Sequence, residues 1–351
     1  MSEEILFSRE GSVGRILLNR PKVLNALTHK MIVELHEQLE VWAFDDLVKF
    51  IIIEGAGEKA FCAGGDIRAL YDSRPNNDDF VRRFFADEYR LNMAIKAYPK
   101  PYIAIMDGIV MGGGVGVSVP GLRRIVTERT RCAMPETGIG LFPDVGGTFY
   151  LSRAPDYTGV YLGLTGEPMD AANTIYADFA DLLVSSDRLP SLLTEMCGRD
   201  YGVDVLAEID HLIKSYEIIP GPANLSSMSS AISDVFSKDT IEQITTGLKE
   251  QGTEWSSRTL ATLKQKSPTS LKVTLKAINT ARELTFNDSM AQEYRIVLQV
   301  MKGRDIYEGT RALIVEKDGQ PNWQPALLER VTDEIVDAHF RLLGDLELNA
   351  L

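Results

Sequence analysis

The chain predicts an α/β fold that runs into an α-helical C-terminal region, on three observations. Short apolar and β-branched runs alternate with helix-length stretches over the first 205 residues. Glycine-rich turns link strands to helices. Beyond about residue 205 the strand signals stop and helical periodicities follow. Strands alternating with helices imply parallel β structure covered by helices. The expected division is a core over 1–205 and a helical region over 206–351. No low-complexity linker separates them, so the second is expected to pack on the first.

Taken in order, Val13–Leu18 reads as a strand ended by Asn19-Arg20-Pro21. Thr28 then offers an N-cap, and Met31, Leu35, Leu39 and Trp42 recur behind it at helical spacing. The β-branched run 48–53 is closed by Glu54-Gly55-Ala56-Gly57, hence a buried strand. A short helix is expected over 66–71 and a longer one over 80–97, stopped by Pro99 and Pro101. The cycle repeats with a strand over 101–106, a helix opened by the glycines 112–114 and a strand over 124–127. Helices are then expected over 205–216, 227–236, 241–251, 256–264, 270–285, 288–302, 307–314 and 325–346.

Composition narrows the function. A chain of 351 residues with 44% hydrophobic and 25% charged residues is long enough to bury a large core. Its 37 basic and 50 acidic residues leave a charge of −13, which argues against nucleic acid and against an anionic membrane surface as partners. A few local Arg or Lys could still hold an anionic ligand. Three cysteines (Cys62, Cys132, Cys197) give no CxxC pair, which fits a reducing compartment. Four scattered histidines have no metal-ligand spacing, so no metal is expected. No apolar stretch is long enough to span a bilayer, and the start Met1-Ser2-Glu3-Glu4 is acidic. The expected location is the cytoplasm, or the mitochondrial matrix for a eukaryotic chain numbered after its transit peptide.

Two turns stand out: Phe61-Cys62-Ala63-Gly64-Gly65-Asp66 and Met111-Gly112-Gly113-Gly114, each after a strand. Without a β-carbon the backbone can approach a ligand closely and aim its N–H groups at it. The Gly65 and Gly113 N–H groups, converging on one oxygen, would form an oxyanion hole for chemistry at a carbonyl. Each turn alone also fits plain strand-to-helix packing, with Asp66 as a helix cap. Carboxylates complete the set. Glu136 follows a strand end in Ala133-Met134-Pro135-Glu136-Thr137-Gly138, among apolar residues and glycines that would desolvate it and raise its pKa. Asp144 lies eight residues on in a Pro-Asp-Val-Gly-Gly turn, where capping is the simpler role. Glu88, beside Asp87 and Arg90, reads locally as a solvated helix-face residue.

These residues resemble the crotonase (enoyl-CoA hydratase/isomerase) superfamily. The matching stretches are 18–27, 60–68 and 108–114. Within it the chain is similar to the 3-hydroxyisobutyryl-CoA hydrolases, through 134–147, Ser267-Pro268-Thr269-Ser270-Leu271-Lys272, Glu293-Tyr294-Arg295 and the run from Glu308-Gly309-Thr310-Arg311-Ala312 to Lys317-Asp318. The resemblance implies a ββα spiral core that binds acyl-CoA and carries the catalysis. It implies Gly65 and Gly113 as oxyanion donors and Glu136 and Asp144 as the catalytic carboxylates. It also implies Glu88, Ala63 and Asp66 as substrate-contacting residues, with Lys22 to Asn25 along the coenzyme A and Lys22 or Arg20 near its phosphates.

Hydratases of the superfamily resemble one another in a glutamate shortly after the glycine triplet, where this chain has Gly116. Two-glutamate addition of water then lacks half its machinery, whereas thioester hydrolysis does not need that acid. The expected activity is therefore hydrolysis of an acyl-CoA, 3-hydroxyisobutyryl-CoA by resemblance. Enoyl-CoA hydration or isomerisation is the first alternative, and a non-catalytic acyl-CoA-binding module the second. Glu136 could attack the carbonyl carbon or deprotonate a water that does so. No cofactor is expected, coenzyme A being part of the substrate. Homo-oligomers built through the C-terminal helices are expected by resemblance, with a self-covered monomer or dimer left open.

Overall fold

A repeating ββα pattern runs through the computed structural model, which describes residues 3–73 and 78–348. β1 (Ile5–Glu10) and β2 (Val13–Leu18) form an antiparallel hairpin followed by the helix His29–Ala43. Thr28 caps that helix, its hydroxyl oxygen accepting the Met31 N–H at 3.2 Å, and Met31, Leu35, Leu39 and Trp42 are buried. Three strand pairs follow: β3 (Phe50–Gly55) with β4 (Ala60–Cys62), β5 (Tyr102–Met106) with β6 (Ile109–Met111), and β7 (Arg123–Val126) with β8 (Arg131–Ala133). β9 (Leu182–Val184) and β10 (Glu217–Ile218) close the series.

The first strand of each pair enters one sheet and the second enters another. The larger sheet has the order β1-β2-β3-β5-β7-β9-β10 and the smaller β4-β6-β8. Pairing is parallel from β2 through β9 and antiparallel at both edges. Alternate residues of the large sheet (Phe50 and Ile52, Ile103 and Ile105) point to one buried face. There they meet Leu189, Leu192 and Met196 of the helix Leu189–Gly198 and Ile209, Leu212 and Ile213 of the helix Val205–Tyr216. Each such aliphatic side chain contributes about 1.5–3 kcal/mol by leaving water.

The chain forms two compact units, and their boundary is not residue 205. The first comprises Met1–Gly65, Arg90–Cys132 and Met169–Asn224 and holds the seven-stranded sheet. The second comprises Asp66–Tyr89, Ala133–Pro168 and Leu225–Leu351. The helix Val205–Tyr216 belongs with the sheet because its apolar face covers it, and β10 shows that strand structure continues past 205. In the second unit the helix Thr158–Thr165 is buried along its whole length, packed by the helices Gly147–Arg153, Ser229–Phe236 and Pro268–Ala281.

A long helix over 325–346 does not form. Asp333–Asp337 is α-helical, begun by the Thr332 cap, and single 3₁₀ turns flank it at Leu328–Arg330, Ala338–Phe340 and Gly344–Leu346. Leu327, Leu342 and Leu346 are exposed, so no continuous apolar stripe holds the segment in one helix. Among the described residues, no helix is long and apolar enough to cross a membrane.

Candidate active site

In the first unit, β4 and β6 are parallel neighbours, so the turns that follow them are brought together. A β-carbon on Gly64 (φ +116°) would lie 3.4 Å from the Met111 carbonyl oxygen and 3.7 Å from the Gly113 nitrogen. One on Gly114 would collide with the Cys62 carbonyl oxygen at 2.2 Å, so the second turn can sit this close only as glycine. Gly113 is the first residue of the helix Gly113–Gly116, where an N–H has no acceptor within its own helix. No protein acceptor among the described residues takes the Gly65 or Gly113 N–H. The turns that carry the two expected donors are thus adjacent.

The loop leading to these turns is braced by Asn25, which is fully buried. Its side-chain nitrogen donates to the Ala56 and Ala60 carbonyls at 3.0 and 2.8 Å, and its oxygen accepts the Arg20 N–H at 2.9 Å. The Asn25 side chain, expected to lie along a ligand, is spent on bonds within the protein. Arg20 is likewise engaged, donating to the Ala26 carbonyl at 2.6 Å and pairing with Glu4 at 3.2 Å. Lys22 is exposed. The Ala63 N–H donates to the Leu24 carbonyl at 2.9 Å. Asp66 caps the helix Ile67–Asp72, accepting the Ala69 N–H at 3.2 Å, which is its bland role.

In the second unit four carboxyl groups are buried together. Glu136 opens a 3₁₀ turn (Glu136–Ile139) directly after β8 and is 5% exposed, with Oε2 buried and without a hydrogen-bond partner. Burial holds its pKa well above the usual carboxylate range, with the Asp144 charge adding to the rise and Lys266 opposing it. Asp144, also 5% exposed, accepts the Tyr89 hydroxyl at 2.7 Å. Burial lifts Asp144 to about 6, against the pull of that hydroxyl.

Glu88 is 2% exposed, not solvated as its neighbours suggested, and its Oε1 has no hydrogen-bond partner. It takes its place in the buried stripe Val81, Phe84, Phe85, Glu88, Leu91 of the helix Asp78–Lys96. Desolvation and then Asp144 raise its pKa well above normal. The fourth acid, Glu293, is fully buried, and burial pushes it up to about 8. A carboxyl that is desolvated and unbonded at one oxygen can serve as base, acid or nucleophile.

Tyr89 and Glu293 were not picked out by local reading. Both stand at buried positions of helical stripes, Tyr89 four residues after Phe85 and Glu293 three after Met290, and a polar group in such a stripe is the available signal. A cavity of about 280 Å³ lies in the same unit, lined by Leu141, Phe142, Ser267, Ser270, Asp305 and His339 among others, but by none of the four acids.

The enoyl-CoA hydratase/isomerase family model matches residues 13–340. The chain is 41% identical to the 3-hydroxyisobutyryl-CoA hydrolase, mitochondrial, of Gallus gallus, over 98% of this chain and 90% of that one. To the protein of the same name from Bos taurus it is 43% identical with the same coverage. A solved structure titled a carnitinyl-CoA dehydratase from Mycobacterium thermoresistibile is 40% identical, superposes with a TM-score of 0.92 and covers 99% of both chains. The ββα repeat, the paired glycine turns and a match over nearly the full length lead to one conclusion: the chain belongs to the enoyl-CoA hydratase/isomerase family.

Proposed function

We propose that this chain hydrolyses an acyl-CoA thioester, converting 3-hydroxyisobutyryl-CoA and water to 3-hydroxyisobutyrate and coenzyme A in valine catabolism. The observation that carries the reading is Glu136, a buried carboxyl with an unpartnered oxygen, in a chain 41–43% identical to relatives named for that hydrolysis. The thioester oxygen takes the N–H groups of Gly65 and Gly113. Glu136 either attacks the carbonyl carbon, giving an anhydride that water then opens, or removes a proton from an attacking water. On both routes negative charge builds on the oxygen and the C–S bond breaks. Losing one oxyanion donor typically costs on the order of 100–1000-fold in rate. The thiolate leaves readily, its thiol pKa being roughly 8.5.

Asp144 and Glu88 hold the acyl hydroxyl, and polar groups built for a hydroxyl reject chains that lack one. Lys22 meets the phosphates of coenzyme A, with Ala63 and Asp66 beside the acyl group. Coenzyme A enters as part of the substrate, and no step calls on a metal, nucleotide or flavin.

Hydration of an enoyl-CoA is the second reading, favoured by the dehydratase title of one 40%-identical structure. Against it stands Gly116, whose carbonyl accepts the Asn92 side chain at 2.9 Å where a second acid would be needed. Free-thiol release from 3-hydroxyisobutyryl-CoA, run beside the loss of enoyl absorbance from crotonyl-CoA, separates the two. Thiol release at background with a falling enoyl signal would reverse the assignment. Single turnover in labelled water tests for an anhydride opened at the Glu136 carbon, the one route that puts label into Glu136.

A further inference from the structure

Glu293 stands on the helix Phe286–Val300, and the hydrolysis above makes no use of it. One of its oxygens accepts the Gly146 N–H at 2.7 Å. The other accepts the Thr148 N–H at 2.9 Å and the Thr148 hydroxyl. A residue 145 positions away along the chain thus fastens one short turn. That turn is unusual. Val145 lies at φ +54°, an outlier for a β-branched side chain, and Gly146 continues the left-handed path at φ +85°. Such backbone persists only where its surroundings over-determine it.

Asp144 directly precedes the turn. Its carbonyl accepts the Gly147 N–H at 2.7 Å, and its carboxylate accepts the Tyr89 hydroxyl at 2.7 Å. Tyr294, next to Glu293, packs edge-on against the Tyr89 ring at 6.2 Å. The titratable groups that act on Glu293 are Asp144, Tyr89 and Glu136.

We propose that Glu293 is a positioning residue: by holding Gly146 and Thr148 it keeps the Asp144 carboxylate seated on Tyr89. The inference rests on the reading of Asp144 as a group that meets the substrate. Glu293→Gln keeps the volume but turns an amide donor toward a backbone N–H. A misplacement of about 1 Å costs on the order of 100-fold. Hydrolysis of 3-hydroxyisobutyryl-CoA by Glu293→Gln should therefore lose about 100-fold in kcat, with KM changed less than about threefold.

The deciding measurement is the same substitution in an Asp144→Asn background, where it should cost less than about twofold, because residues acting as a unit are not additive. A full additional loss would show Glu293 acting elsewhere and overturn the proposal. Wild-type activity in Asp144→Asn alone would remove the underlying reading, and the inference with it. Should Glu293→Gln fail to fold, Thr148→Val removes only the hydroxyl bond. Its loss of about three- to tenfold should likewise vanish on Asp144→Asn, and an undiminished loss there refutes the positioning role.

Discussion

Replacing Tyr89 by Phe removes one oxygen and one hydrogen bond, the 2.7 Å donation to Asp144 Oδ2, and leaves the buried ring in place. The donor stabilises the charged carboxylate, so without it the Asp144 pKa must rise. A hydrogen bond to a charged group is worth about 1.5–3 kcal/mol, and 1.36 kcal/mol is one pH unit, so the rise is about one to two units. Starting from about 6, Asp144 would then titrate near 7 to 8. If Asp144 works ionised, activity at pH 7 falls roughly two- to tenfold and returns toward the wild-type value near pH 9. Tyr89 itself is held well above 10 by burial and nearby carboxylates, so it remains a donor across this range. The assay is kcat/KM for thiol release between pH 5 and 9, with the uncatalysed rate subtracted. An acid limb that stays put, or a deficit equal at every pH, would refute the assignment of Asp144.

Glu136→Ala should lower turnover on the order of 100–10,000-fold while coenzyme A binding, followed by calorimetry, changes little; an unchanged rate would remove the central assignment. Gly114→Ala places a β-carbon 2.2 Å from the Cys62 carbonyl oxygen, so the two glycine turns must separate. It should cost kcat at least about 100-fold even in a variant that melts cooperatively. Stability should also depend on pH with an unusual sign. Glu293 (about 8) and Asp144 (about 6) titrate higher in the folded protein than the ordinary carboxyls of an unfolded chain. The folded state therefore keeps protons that the unfolded chain sheds, and the stability that these two groups contribute is full below about pH 4 and falls as pH rises toward 8. The urea midpoint should drop by a few kcal/mol equivalent from pH 5 to pH 8, and Glu293→Gln should flatten that slope.

Much of the fold is legible from local chemistry. β2 (Val13–Leu18) and the helix Ile241–Gln251 form with the expected bounds, and in the structure Thr240 caps the helix. The failure at 325–346 has a local cause as well, since a cap at Thr332 starts a helix that no apolar stripe extends. β1 carries weaker signals, its Leu6 being 43% exposed. The site divides differently. The burial of Glu136 was legible because its apolar, glycine-rich surroundings are its sequence neighbours. Glu88 was not, because its neighbours Asp87 and Arg90 suggest solvent while the stripe it joins puts it inside. The Tyr89 bond to Asp144 spans 55 residues and the Glu293 bond to Gly146 spans 147, and such partners are chosen by tertiary packing alone.

The interleaving of the two units bears on how the protein is made. As the chain leaves the ribosome, every strand of the large sheet is available once Ile218 has emerged. The acid cluster must wait for Glu293, by which time Glu88, Glu136 and Asp144 have long been synthesised. Domains generally fold as units in order of synthesis. This chain would spend its last stage of translation with every strand of the sheet made and the turn after Asp144 awaiting the Glu293 bonds to Gly146 and Thr148. Neither unit can be lifted out by a single cut, because each is built from three separate stretches of the chain.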